Sequence, residues 1–237
     1  MLIIWFIFRF VPDRIEVNIV NRVSGTVPGT LKGLLVISIV LMLFIVWPIS
    51  AQTKDTLSQS SVAGFLIRVS ARAENQMSQI FGNLNNLTFF SQVGQNHEMT
   101  KLNFKVDHYT VDLSGETQML SLVNADRAKA GLAPLTMDEN IREAARAHSI
   151  DMAKNGYFSH YDLSGKSPAD RMNDSHVNFT MAGENIALAP TVELGEIGFM
   201  NSQKHRDNIL TPEFTRVGIG IIDTGSYGKM ITQDFAN

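Results

Sequence analysis

His160 and His205 stand at the ends of expected helical elements, where side chains can converge without disturbing a core, and Glu184 lies between them in the chain. Two imidazoles and one carboxylate from three distant segments form a facial set. It could bind a borderline metal and leave positions open for water or a ligand. Without metal, the same groups could form a hydrogen-bonded cluster in which Glu184 orients one imidazole. No short His-x-x-x-His pair is present, so spacing alone does not separate these readings. Cysteine is absent, which excludes disulfides, thiol catalysis and cysteine-ligated zinc.

The other candidates read as ordinary structure. His148 sits on the apolar stripe of a helix and fits a hydrogen-bonded core histidine. His176 falls in a polar loop, and His97 and His108 in a linker. Ser159, His160 and Asp162 hold the residue types of a hydrolase triad. Neighbours in sequence seldom face each other, however, and no oxyanion-hole glycine loop accompanies them. Arg206 and Asn208 suit a structural tie between the loop after His205 and a sheet.

Several elements must position these residues. A helix fits Glu116 to Ala130, stopped by Gly131. A second fits Asp138 to Asn155, with Ile141, Ala145, His148 and Met152 as its apolar stripe before Gly156. Ser167-Pro168 has the form of an N-cap and first helical residue for a short helix through Met172. Thr191 caps another helix running to about Ser202. Val217 to Ile222 and Lys229 to Phe235 read as a β-hairpin, and residues 178 to 187 as a third strand. Helices with a small, mostly antiparallel sheet make an α+β sandwich.

The blocks LSLVNADRAKAGLAPL, NGYFSH, GENIA, FMNSQKHRDNIL and FTRVGIGI occur in the order and approximate spacing of bacterial CAP (SCP-type) domains. From about Asp112 to Asn237 the chain resembles that family. The resemblance implies an α-β-α sandwich with a surface cleft lined by two histidines and two acidic residues. It places them on His160, Glu184 and His205, and implies a divalent cation, often zinc, between His160 and His205. Ser202 stands where eukaryotic members carry a second glutamate. At about 100° per residue, Glu193 and Glu196 point roughly 180° and 120° away from Ser202, so neither is an easy substitute.

Ahead of this domain, Gly33 to Thr53 carries no charge and centres on LLVISIVLMLFIVW, which predicts a transmembrane helix over about 33–50. It begins too far from the N-terminus for an ordinary cleaved signal peptide. Arg14, Arg22 and Lys32 precede it and only Lys54 follows closely, which predicts a cytoplasmic N-terminal side and an extracytoplasmic remainder. Residues 21 to 50 resemble the end of the colicin V production protein family, so that 1–53 would be part of a multi-helix membrane module. Residues 54–111 read as an amphipathic juxtamembrane helix followed by a polar linker. Residues 1–111 hold 9 Lys and Arg against 6 Asp and Glu, whereas 112–237 hold 11 against 17. An acidic domain without a basic cluster argues against nucleic-acid binding.

Two functions follow as expectations. One is a membrane-anchored binding module whose cleft holds a metal and an envelope ligand such as peptidoglycan or a lipid. The other is a metal-dependent hydrolase with Glu184 as base. One carboxylate fewer favours the first. The expected site brings His160 and His205 into one cleft beside Glu184 and Ser202.

Overall fold

The computed structural model describes residues 29–30, 32–34, 36–38, 40–41, 51–81, 92–93 and 99–237. Among the described residues no helix is long and apolar enough to cross a membrane. Much of the expected 33–50 span, and most of the colicin V-like stretch, lies outside them.

The described elements begin with α1 (Ala51–Gln59) and α2 (Ser61–Phe81), then the short strands β1 (Gln92–Val93), β2 (Thr100–Lys101) and β3 (Thr110–Val111). Next come α3 (Leu113–Lys129), β4 (Thr136–Met137), α4 (Glu139–Asn155), β5 (Tyr157–Phe158) and α5 (Pro168–Asp174). The chain finishes with β6 (Ala182–Ala189), α6 (Val192–Asn201), α7 (Gln203–Ile209), β7 (Arg216–Asp223) and β8 (Lys229–Ala236). The six-stranded sheet runs β1-β6-β8-β7-β3, and β4 pairs with β7. All its pairs are antiparallel except β4 with β7. The fold is therefore α+β with a mostly antiparallel sheet.

Helix boundaries follow local chemistry. Asp112 caps α3 through Gly115, three residues earlier than the predicted start. Asp138 caps α4, and Gly156, at φ 71°, ends it in the left-handed conformation that glycine adopts without strain. Ser167 and Asp170 form a reciprocal capping box at α5, with Pro168 in the first turn. The helix predicted from Thr191 stops at Asn201, and Ser202 starts α7, an element the periodicity did not predict.

Two layers of helix cover the sheet. On one face Met119 and Val123 of α3 and Phe199 of α6 pack on Val217, Ile219, Ile221, Ile231 and Phe235. On the other, α4 lies directly along β7, because Gly218 and Gly220 present no side chain. A Cβ on Gly218 would meet the Ile141 carbonyl carbon at 2.2 Å, and one on Gly220 the Arg146 nitrogen at 2.3 Å. Two arginines, Arg127 buried and Arg146 partly so, tie the helices into the fold. Arg146 reaches Glu116 of α3 through Nε at 2.6 Å and a second, parallel bond. Arg127 donates to the carbonyls of Ala133, Ile209 and Thr211, each at 2.8 Å, which pins the return from α7 to β7.

The described parts of 54–111, which was expected as helix and linker, pack on the domain. Ile67 and Ala71 of α2 are buried against Leu194 of α6. Lys54 Nζ donates to the Ser226 carbonyl at 3.1 Å, and Lys229 reaches Asp55 at 3.5 Å. The strands β1, β2 and β3 pair with β6, β5 and β7, which covers sheet edges that would otherwise be open. Composition marked this stretch as a linker because its strands are two residues long and carry no apolar alternation.

Gly220→Ala forces α4 off the sheet and should destabilise the protein by about 3 kcal/mol. A lowered urea midpoint at unchanged slope would show this, and a wild-type midpoint would contradict the close approach.

Candidate functional site

Strand β6 carries the Gly-Glu-Asn block, and its pleat sends successive side chains to opposite faces. Ile186 packs with Met152 on the α4 side, whereas Ala187 packs with Met119 on the α3 side. By the same alternation Glu184 enters the α4 side and Asn185 the α6 side.

On the α4 side, Glu184 lies directly across the ladder from Asp234 of β8. Glu184 Oε1 is 2.7 Å from Nδ1 of His160, and Oε2 accepts from Nη2 of Arg171. Arg171 Nη1 also donates to the His160 carbonyl at 2.8 Å, so one guanidinium fixes both members of the pair. The capped start of α5 places Arg171 one turn into that helix. His148 Nε2 lies 3.9 Å from Glu184 Oε2 but donates to the Ser159 carbonyl at 2.9 Å. Burial, with the Arg171 charge, pushes His148 down to about 3, so it is a neutral core histidine.

Desolvation raises both Glu184 and Asp234, and for Asp234 the Glu184 charge adds to the rise, while Arg171 opposes it in each. Among the described residues no N–H or hydroxyl donor reaches either oxygen of Asp234. Asp234 faces the Glu184 carboxyl across the ladder, and two buried carboxyls so placed disfavour a second negative charge. The two titrate as a pair.

On the α6 side, His205 Nδ1 is 2.7 Å from Ser202 Oγ, and its ring lies 5.7 Å from that of Phe199. Asn185 donates to the His205 carbonyl at 3.1 Å and to Gln233 at 3.0 Å. Asn208 donates to the Glu184 carbonyl at 3.1 Å and to Asn185 at 2.9 Å, the structural tie its position predicted. Gln233 Nε2 donates to Glu196 at 3.3 Å, and burial first, then Asp126, pushes Glu196 up to about 8. Ser202 thus holds His205 rather than leaving a gap where a carboxylate was expected. The structure brings His160 to Glu184 and His205 to Ser202, linked through Asn185 and Asn208.

With this geometry in hand, the chain can be compared with known proteins. Residues 120–235 match the family described as the cysteine-rich secretory protein (CAP) family. Just under half of the chain is thus similar to a CAP domain. It is 43% identical over 112 residues to the uncharacterized protein YkwD of Bacillus subtilis, covering 47% of this chain and 44% of that one. To the uncharacterized membrane protein YlbC of the same organism it is 39% identical over 112 residues, 47% of this chain and 32% of that one. It therefore spans less than half the length of either relative. Among solved structures, an extracellular SCP-domain protein of Bacillus anthracis is 34% identical over 52% of this chain and 40% of its own, with TM-score 0.49. An outer surface protein of Borrelia burgdorferi aligns over 55% of this chain and 97% of its own at 18% identity and TM-score 0.52. That likeness concerns the fold.

The facial set of His160, Glu184 and His205 expected to hold a divalent cation is not assembled among the described residues. Among the described residues no group of three or more His, Asp or Glu side chains is placed to hold a metal ion. Glu184 already faces the fixed positive charge of Arg171, which occupies the electrostatic role a cation would take. The hydrolase-like trio is also committed elsewhere. Ser159 Oγ accepts from the Tyr161 N–H, and Asp162 accepts from the Ser164 and Lys166 amides to shape its loop.

Sequence reasoning missed Arg171, Asp234 and the Gln233–Glu196 contact. The signal for two of these was present: Gln233 and Asp234 are adjacent polar residues in an otherwise apolar strand, MITQDFA. Which strand they would face was not.

Both carboxyls of the pair hold protons more tightly folded than unfolded, so the folded state binds more protons. Stability contributed here is present at low pH and falls as pH rises from 4.5 towards about 7, the range Glu184 spans between its ordinary and folded values. Asp234→Asn should flatten that slope, read from urea midpoints across the window, and an unchanged slope would contradict the pair. Arg171→Met leaves buried carboxyls without their cation and should cost about 3 kcal/mol at neutral pH. The same midpoints test it.

Proposed function

We propose that this CAP domain is a non-enzymatic binding module, held at a membrane by the preceding segment and exposed outside the cytoplasm, where it takes an envelope component such as peptidoglycan or a lipid. The observation that carries the reading is the commitment of Glu184. One oxygen is engaged by His160 and the other by Arg171, and Asp234 faces the carboxyl across the ladder. A general base needs an oxygen available to the reacting proton. The membrane and extracytoplasmic parts draw on the charge-free run from Gly33 to Thr53, on the basic residues before it, and on the naming of YlbC as a membrane protein.

The alternative, hydrolysis of an envelope substrate, draws on one observation. Glu184 is raised towards neutrality beside His160, which is the protonation range of an acid–base catalyst. The test uses the detergent-purified full chain with isolated peptidoglycan and with vesicles of envelope lipid. Binding without product release, retained in Glu184→Gln, is the expected result. Turnover that collapses in Glu184→Gln would overturn the binding-module reading in favour of the hydrolase.

A further inference from the structure

Half of the exposed large apolar side chains among the described residues fall between Leu34 and Val69. They do not lie around the site. On α2 they form a stripe, Val62, Phe65 and Val69, of which Phe65 is 58% and Val62 70% exposed. At about 100° per residue these three share a narrow arc, roughly opposite Ile67 and Ala71, which are buried on Leu194 of α6. The helix thus has two apolar faces. One is docked on the CAP domain, and the other is uncovered.

Position in the chain points to what covers it. The stripe begins nine residues after the charge-free run that ends at Thr53. Leu41, inside that run, packs on the same Ile67, Ala71 and Leu194 cluster, which brings the run alongside α2. Leu34, Val36, Ile37 and Val40 of the run are helical and exposed as well. An apolar run and an apolar helix face that meet at one cluster present a continuous surface to the same solvent. For a run of this composition that solvent is lipid. The attachment of α2 to the domain is firm, because Lys229 reaches Asp55 of α1 and Asn201 of α6 donates to the Ala71 carbonyl of α2 at 3.1 Å.

We infer that the Val62, Phe65 and Val69 face of α2 lies in the interfacial layer of the bilayer, so that the CAP domain is seated on the membrane in a fixed orientation instead of hanging from a flexible tether. This rests on the membrane-anchor reading above. Seating would hold the domain at a set height over the lipid, which favours ligands of the membrane surface or of the envelope layer next to it.

The absence of cysteine allows a direct test in the full chain. Phe65→Cys, Val62→Cys and, as a reference, Leu163→Cys on the exposed loop after His160 are labelled with a polarity-sensitive fluorophore and reconstituted in phosphatidylcholine–phosphatidylglycerol vesicles. Labels at 65 and 62 should be blue-shifted and quenched several-fold more by nitroxide-bearing lipid than by iodide, and the label at 163 the reverse. Alkaline carbonate extraction of the same vesicles separates the two readings. A chain that resists extraction while its labels at 62 and 65 are quenched by iodide like that at 163 overturns the seating and leaves the anchor standing. A chain that carbonate removes overturns the anchor, and the seating with it. Labels shielded from both quenchers, with disulfide-linked dimers forming at Phe65→Cys, would show a second copy in place of lipid and would also overturn the seating.

Discussion

Glu184 and Asp234 face each other across β6 and β8 in the buried layer beneath α4, and the surroundings of the site follow from what that pairing requires. Two carboxyls removed from water cannot both ionise at this separation. Burial raises both, and the Arg171 charge opposes the rise. That demand fixes α5 at the β6 edge, because its guanidinium must reach Glu184 and the His160 carbonyl together. It also fixes His160, whose imidazole takes the other Glu184 oxygen. A buried cluster of this kind is weak as a source of net stability. It is demanding as a constraint, since the loss of any one partner strands the others in a low-dielectric interior.

The second constraint is steric. Gly218 and Gly220 let α4 rest on the backbone of β7, and Ser149 of α4 then donates to the Gly220 carbonyl and meets Thr232 at 2.8 Å. This contact sets the depth at which His148 enters the layer shared with Glu184. On the far face, Arg127 gathers the carbonyls around α7 and the start of β7, so that His205 and Asn208 are held against β6 by a cation that never touches them. Each side chain of the site is positioned by a tie made elsewhere in the fold.

These constraints bear on function through what they leave available. Glu184 has both oxygens engaged and a cation already beside it, so it is committed within the fold. The helices that precede the domain add a second role for apolar surface. The same helix that completes the domain's packing at Ile67 and Ala71 turns Phe65 outward.

The sequence by itself determined the existence of α3, α4, α5 and α6, the caps of α5 and α6, the β7–β8 hairpin, the acidic character of the domain and the CAP-family blocks. These depend on neighbours within a few residues or on recognisable local patterns, and Asp138, Gly156 and Ser167-Pro168 act where the chain places them. The packing of His148 in a core was also legible, because a histidine on an apolar helical stripe has nowhere else to go. Tertiary structure alone decided that Glu184 faces Asp234, 50 positions later. That partnership depends on the register between two strands that are not consecutive, and a one-residue slip would send each side chain to the other face. Arg171 as the cation of the pair and the packing of Ile67 and Ala71 on α6 were decided in the same way, since each joins segments whose local sequences carry no mark of the other.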